Sequence, residues 1–201
     1  MALSEKAQAT REKIIAAATE LFYRNGYHAT GLDKVIRQAG VTKGNFYYHF
    51  PSKEALAIAT LDWQYKRWSA EIREQVLSRC NNTLETLLNL LDYMAGRQKK
   101  QHQEGQILGC YFGNFALELS SVSPAVRDRV NTVFASYVEL IEKLLFHAQK
   151  KGQIRESLDP KQLASVILGQ IEGAILLDKA RHHPGNFDQS IEFIRQYLET
   201  G

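Results

Sequence analysis

Cysteine occurs only twice in the 201 residues, at Cys80 and Cys110. Two thiols cannot build a disulfide framework, and unpaired thiols fit a reducing compartment. The first residues, Met1 to Arg11, are polar and charged, with no apolar core of the kind a secretory leader carries. No apolar run is long enough to cross a bilayer; the best candidate, Ala164 to Leu177, is interrupted by Gln170 and Glu172. No stretch alternates apolar and polar residues around hairpin turn chemistry, so strands are not expected. Internal repeats and low-complexity segments are missing as well. There is no phosphate-binding glycine loop, nucleophile elbow or zinc-protease helix. These absences leave a soluble, cytoplasmic, helical protein as the expectation, with no enzymatic activity, no cofactor and no membrane partner.

What is present is an ordinary globular balance, 44% hydrophobic and 23% charged. The net charge is only +3, but its placement is uneven. Residues 1–60 hold eight Lys/Arg against five Asp/Glu, whereas the remainder holds seventeen of each. The whole surplus therefore lies in the first third, which suits contact with phosphates.

Helical periodicity runs through the chain. Ile14, Ile15, Ala18, Leu21 and Phe22 line one face of a first helix, which Asn25-Gly26 ends. Thr30 or Gly31 caps a short second helix, Leu32 to Ala39. Gly40-Val41 forms a tight turn, and Thr42 caps a third helix from Lys43 to Phe50. Pro51-Ser52 breaks it and opens a fourth, from Lys53 to about Arg79, with a break at Asn81-Asn82. Leu84, Leu87, Leu88, Leu91, Met94 and Ala95 form the next apolar stripe, and the polar stretch Arg97 to Gln106 reads as a loop or frayed end. Further helices follow at about Ile107 to Leu119, after Ser123-Pro124, after Asp159-Pro160, and around Phe187, Ile191, Ile194, Tyr197 and Leu198. That is an all-α fold of about nine helices.

The most specific segment is residues 30–50. Two short helices joined at Gly40 fit a helix-turn-helix, whose second helix enters the DNA major groove. That helix reads Lys43-Gly44-Asn45-Phe46-Tyr47-Tyr48-His49. Gly44 is a poor helix former and makes sense where the backbone must approach another surface. Lys43 and Asn45 suit guanine and adenine edges. Tyr47, Tyr48 and His49 can donate to phosphates. Phe46 and Phe50, four apart, point inward.

The run Val41-Thr42-Lys43-Gly44-Asn45-Phe46-Tyr47-Tyr48-His49-Phe50-Pro51-Ser52-Lys53-Glu54-Ala55-Leu56 resembles the signature of the TetR/AcrR family of repressors. Ala17, Leu21-Phe22, Gly26-Tyr27 and Ala39-Gly40 resemble it too, so the likeness covers about residues 10–60 closely. It implies a homodimer with an N-terminal three-helix DNA-binding domain, residues 1–52, and a larger helical ligand-binding and dimerisation domain, residues 53–201. It places Lys43, Asn45 and Tyr48 on base-contact positions and Thr42, Tyr47, His49 and Lys53 on phosphate-contact positions. Thr30 and Gly44 complete the expected DNA-facing set. Gly31 stands where the family commonly has Thr, and Asn45 replaces the usual Thr, which alters the operator that would be read.

Beyond residue 60 the resemblance is looser. Gly109 to Leu119 and Glu172 to Ala180 look like segments of one branch of these repressors. Gly109 and Gly113 are expected on one helix face. Asn114 and Glu118 lie one turn apart on a mostly apolar helix, where buried polar groups need partners. They either line a pocket or meet a loop or solvent. Trp63, Met94, Phe112, Phe134 and Tyr137 either wall an apolar cavity or form plain core. Cys110, placed in the first turns of its helix with Lys179 near it in a family-like fold, is a candidate electrophile or oxidant sensor; the other reading is a small buried hydrophobe. His182-His183 lacks further ligands at metal-binding spacing, so no metal is expected. Gly169 and Gly173 on one face, with Ile191, Ile194 and Leu198 on another, are candidates for a two-chain helix bundle.

The leading reading is a regulator, most simply a repressor, that a small molecule or electrophile releases from a palindromic operator. Its partners are double-stranded operator DNA, an unidentified small-molecule effector and a second copy of itself. The alternatives are a redox or electrophile sensor acting through Cys110 and a ligand-independent DNA-binding protein.

Overall fold

The computed structural model describes residues 4–79 and 83–199. Among these the helices are α1 (Glu5–Asn25), α2 (Leu32–Ala39), α3 (Lys43–His49), α4 (Lys53–Gln75), α5 (Leu84–Gln103), α6 (Tyr111–Leu119), α7 (Pro124–Lys150), α8 (Pro160–Arg181) and α9 (Asn186–Glu199). A 3-10 turn spans Leu77–Arg79, and no strand occurs among the described residues. The all-α reading holds. The chain forms two compact units, one running to Trp68 and including Tyr111–Asn131, the other from Ser69 to Cys110 and from Thr132 onward.

In the first unit, Ser4 Oγ caps α1 by accepting from the Ala7 amide at 3.3 Å. Ile14, Ile15, Ala18, Leu21 and Phe22 are all buried, as the periodicity predicts. α1 stops at Gly26, whose φ of +84° no other residue adopts readily. α2 begins at Gly31, which supplies no capping side chain, and ends at Gly40 in the left-handed conformation (φ 65°, ψ 35°). Nothing lies within 4 Å of a Cβ built on Gly40, so backbone conformation alone asks for glycine there. α6 and the start of α7 complete this unit. Phe115 packs its ring on Phe22 (5.9 Å) and Tyr27 (6.1 Å). The Ser123 hydroxyl donates to Glu54 and its oxygen caps α7 by accepting from the Val126 amide. Arg129 pairs with Asp62.

The second unit is built around α5, most of α7, and the α8–α9 hairpin. Leu87, Leu88, Leu91 and Ala95 of α5 are buried, with Ile141, Leu144 and Leu145 of α7. Asp178, itself buried, ties α8 to the start of α9: its carboxylate accepts from the Asn186 amide, the Asn186 side chain and the Phe187 amide.

Several boundaries differ from the sequence reading. α5 continues through Arg97 to Gln103, where a loop is expected. Tertiary pairs hold that polar stretch helical: Arg97 with Glu71, and Lys99 with Asp188 at 3.1 Å. α6 begins at Tyr111 rather than near Ile107, because Gly109 takes φ +82° and cannot continue a helix. Gly109 and Gly113 therefore do not share a helix face, and Cys110 precedes α6 rather than lying in its first turns. α4 ends at Gln75 before the 3-10 turn. The expected break at Asn81-Asn82, and Cys80, lie outside the described residues.

Candidate nucleic-acid interface

α3 is short, and three features hold it. Thr42 Oγ1 accepts from the Asn45 amide at 3.2 Å, which leaves its own hydroxyl hydrogen to donate. Phe46 and Phe50 are 0% and 2% exposed, with rings 6.0 Å apart. The Phe46 ring also meets Tyr47 edge-on at 5.3 Å. With its inner face locked, α3 turns Lys43, Gly44, Asn45, Tyr47 and Tyr48 to solvent. Tyr48 is 70% exposed. A Cβ on Gly44 would meet nothing within 4 Å, so packing does not require glycine there; its effect is a flat, bare turn of backbone.

His49 is half-buried beside Tyr48. Burial first, and then the positive charge of Arg11, hold its imidazole below the usual range. The ring is thus mainly neutral at pH 7 and offers a hydrogen-bonding nitrogen rather than a charge. The neighbouring cation is Arg11, whose guanidinium lies 5.1 Å over the Phe50 ring. Sequence reasoning missed Arg11, since nothing local links α1 to α3. It also passed over Lys34 and Arg37, both exposed on α2.

Two of the expected DNA-facing residues have partners within the protein. Thr30 is fully buried, and its hydroxyl donates to the Gly26 carbonyl at 2.7 Å and lies 3.3 Å from that of Leu21. It closes the α1–α2 loop and presents nothing to a phosphate. Lys53 is half-buried; its ammonium donates to the Tyr27 carbonyl at 2.6 Å and lies 4.2 Å over the Tyr27 ring. Burial holds it below the usual lysine range, partly offset by Glu118. It braces α4 against the α1–α2 loop.

The expected effector residues divide between the units. Trp63, Phe112, Asn114 and Glu118 belong to the first, and Met94, Cys110, Phe134, Tyr137 and Lys179 to the second. Phe112 is buried core, Lys179 is exposed, and most of the others are half-buried. Glu118 meets a loop: its carboxylate accepts from the Tyr27 amide (3.0 Å) and the His28 amide (2.9 Å). An open groove of about 410 Å³ in the second unit is lined by residues such as Glu139, Glu142, Lys143, Phe146 and Lys161. The Cys110 thiol donates to Glu172, whose carboxyl burial raises above its usual range and this hydrogen bond partly lowers. No cluster of three metal-ligating side chains occurs among the described residues, His182 and His183 included.

The expected dimer surface also changes. Ile191, Ile194 and Leu198 are 5%, 3% and 1% exposed, so they pack inside the second unit rather than on open surface. Gly169 and Gly173 are exposed, flanked on α8 by exposed Val166, Leu176 and Leu177. On α9 the open apolar residues are Phe193 (56%) and Tyr197 (41%), with stacked rings 6.2 Å apart.

Comparison with known proteins agrees with this geometry. Residues 14–60 match the family described as bacterial regulatory proteins, tetR family. Residues 83–194, more than half of the chain, match the tetracyclin repressor-like C-terminal domain. The chain belongs to the TetR family. It is similar to the HTH-type transcriptional repressor DhaR of Mycobacterium sp. strain GP1, 29% identical over 94% of this chain and 91% of that one. The HTH-type transcriptional regulator LmrA of Bacillus subtilis is 31% identical over 84% of this chain and 85% of its own. Among solved structures, reduced E. coli NemR superposes with a TM-score of 0.83 at 25% identity, covering 96% of this chain and 100% of NemR. This TetR-family protein is accordingly a DNA-binding transcriptional regulator. Members of the family are transcriptional regulators that bind operator DNA, dimerise and bind small-molecule effectors. No helix of the described residues is long and apolar enough to cross a membrane.

Proposed function

We propose that this protein is a homodimeric repressor, acting in the cytoplasm, that places α3 of each protomer in the major groove of a palindromic operator and is released by a small-molecule effector. One observation carries the reading. Residues of α3 and its C-terminal cap split between a buried aromatic anchor, Phe46 and the capping Phe50, and an open row of Lys43, Asn45, Tyr47 and Tyr48. In this reading Lys43, Asn45 and Tyr48 read base edges, while Thr42, Tyr47 and His49 meet phosphates and Gly44 lets the backbone come close. Residues 1–52 serve DNA binding and residues 53–201 serve effector binding and dimerisation. The exposed apolar row of α8 and α9 supports the second of these. Two half-sites lie about 34 Å apart in such operators, which demands two-fold symmetry. Effector binding shifts the population toward a form that does not match this spacing.

The test is fluorescence anisotropy with DNA from upstream of the protein's own gene, against random DNA, over a salt series. Preference by about 10³ or more, at two protomers per site, is the expected outcome. Equal affinity for both DNAs would refute the assignment of that operator.

A second reading concerns Cys110 as the point where an electrophile acts. Its support is the Cys110–Glu172 hydrogen bond: the Glu172 carboxylate, made more basic by burial, can take the thiol proton as sulfur adds to the electrophilic carbon of a double bond, whose π pair moves away from sulfur and is then protonated. A Cys110→Ser variant that still released DNA normally with electrophiles would end this reading.

A further inference from the structure

Glu118 occupies the last turn of α6, where a negative charge opposes the helix dipole. Its surroundings compensate. The two carboxylate oxygens accept separately from consecutive backbone amides, Tyr27 and His28. The same peptide segment is held from its other side, since Lys53 donates to the Tyr27 carbonyl. The Glu118 carbonyl lies 3.3 Å from Nε2 of His28. The Tyr27 ring is seated between Phe22 at 5.3 Å and Phe115 at 6.1 Å. Gly26 completes the fit: a Cβ there would stand 3.0 Å from Glu118 Oε1, and its φ of +84° disfavours any side chain.

The segment so gripped, Gly26 to His28, leads directly into buried Thr30 and then α2. Four elements therefore converge on one short stretch of backbone: the end of α1, the start of α4, the end of α6, and the helix-turn-helix that follows. Charge-assisted hydrogen bonds from a carboxylate to backbone amides are among the stronger ones. None of the groups involved belongs to the open row of α3.

We infer that Glu118 is a positioning residue for DNA recognition, pinning the Gly26–His28 segment and thereby holding the helix-turn-helix in the orientation that DNA binding requires. The inference rests on the reading that α3 faces DNA. Without the carboxylate the Tyr27 and His28 amides lose their partner, and the segment keeps the Lys53 contact, the Thr30 hydroxyl on the Gly26 carbonyl, the His28 ring against the Glu118 carbonyl and its ring packing. The recognition helix then retains its side chains but loses its fixed mounting.

The experiment uses the full-length protein and a duplex selected by the wild type from a random-sequence library. Anisotropy is measured for wild type, Asn45→Ala, Glu118→Gln and Glu118→Asp, alongside thermal melting and amide hydrogen exchange. Glu118→Gln is expected to weaken binding about tenfold or more, the worth of one charge-assisted hydrogen bond. The Tyr27 and His28 amides should exchange faster in the same variant. Glu118→Asp, which keeps the charge, should recover part of both. A merely structural residue would lower the melting temperature yet leave affinity intact well below the transition, and that result overturns the inference. So does unchanged affinity in Glu118→Gln while Asn45→Ala loses binding, which leaves the DNA-binding reading standing. If the wild type selects no duplex, both fall together. Should Glu118→Gln fail to fold, exchange in the wild type decides: protection of both amides that rises on DNA binding supports the pin, and fast exchange in both states overturns it.

Discussion

Asn45 and Phe46 are adjacent in α3, yet Asn45 is open to solvent while Phe46 is completely buried. The two neighbours should therefore fail in opposite ways. Asn45→Ala is expected to leave the melting temperature unchanged and to lose about 1–3 kcal/mol of base discrimination. Phe46→Ala should cost about 3–5 kcal/mol of stability. Chemical denaturation and anisotropy on both variants check the contrast. A large stability loss in Asn45→Ala would contradict the assignment.

The carboxylate of Asp178 satisfies the first amides of α9 from a buried position. Asp178→Ala removes the cap and leaves those amides without a partner away from water. A loss of about 2–3 kcal/mol in urea unfolding is expected, in the range for charged hydrogen bonds. The open face of α3 should be untouched, so operator affinity per folded dimer should hold.

Burial raises Glu172 above the ordinary carboxylate range, with the Cys110 thiol opposing. The folded chain thus holds this proton more tightly than the unfolded one. Its favourable contribution is complete below the unfolded pKa and is lost as pH rises through the folded pKa. Glu172→Gln removes the penalty of a buried charge. Its melting temperature relative to wild type should therefore rise between pH 4 and pH 8. A difference that is flat or falls with pH would contradict the burial of this charge.

Phe193 and Tyr197 are open and stacked on α9, and Val166 and Leu177 are exposed on α8. A charge in this row should oppose pairing of two copies. Phe193→Glu is expected to shift light scattering at micromolar concentration from dimer to monomer. It should weaken binding to a two-half-site duplex far more than to a single half-site.

Much of the DNA-binding part could be read from local pattern. The stripe of α1, the Gly40 turn, the Thr42 cap and the inward pair Phe46 and Phe50 all depend on neighbours within a turn or two. Asn45 and Tyr48 were legible as outward residues for the same reason. The C-terminal helices could be counted but not bounded, because α5 is prolonged by Arg97 and Lys99 reaching partners that local sequence does not reveal.

By itself, then, the sequence determined an all-α chain with a helix-turn-helix at residues 30–50, because helix periods, caps and glycine turns are short-range. Only the tertiary structure decided that Thr30 is buried, that Lys53 is a brace, that Glu118 clasps a loop ninety residues away, and that α9 turns Phe193 rather than Ile194 outward. Those outcomes rest on which surfaces meet across long separations. A polar side chain in an amphipathic helix carries no local mark of whether its partner is water, DNA or the backbone of another helix.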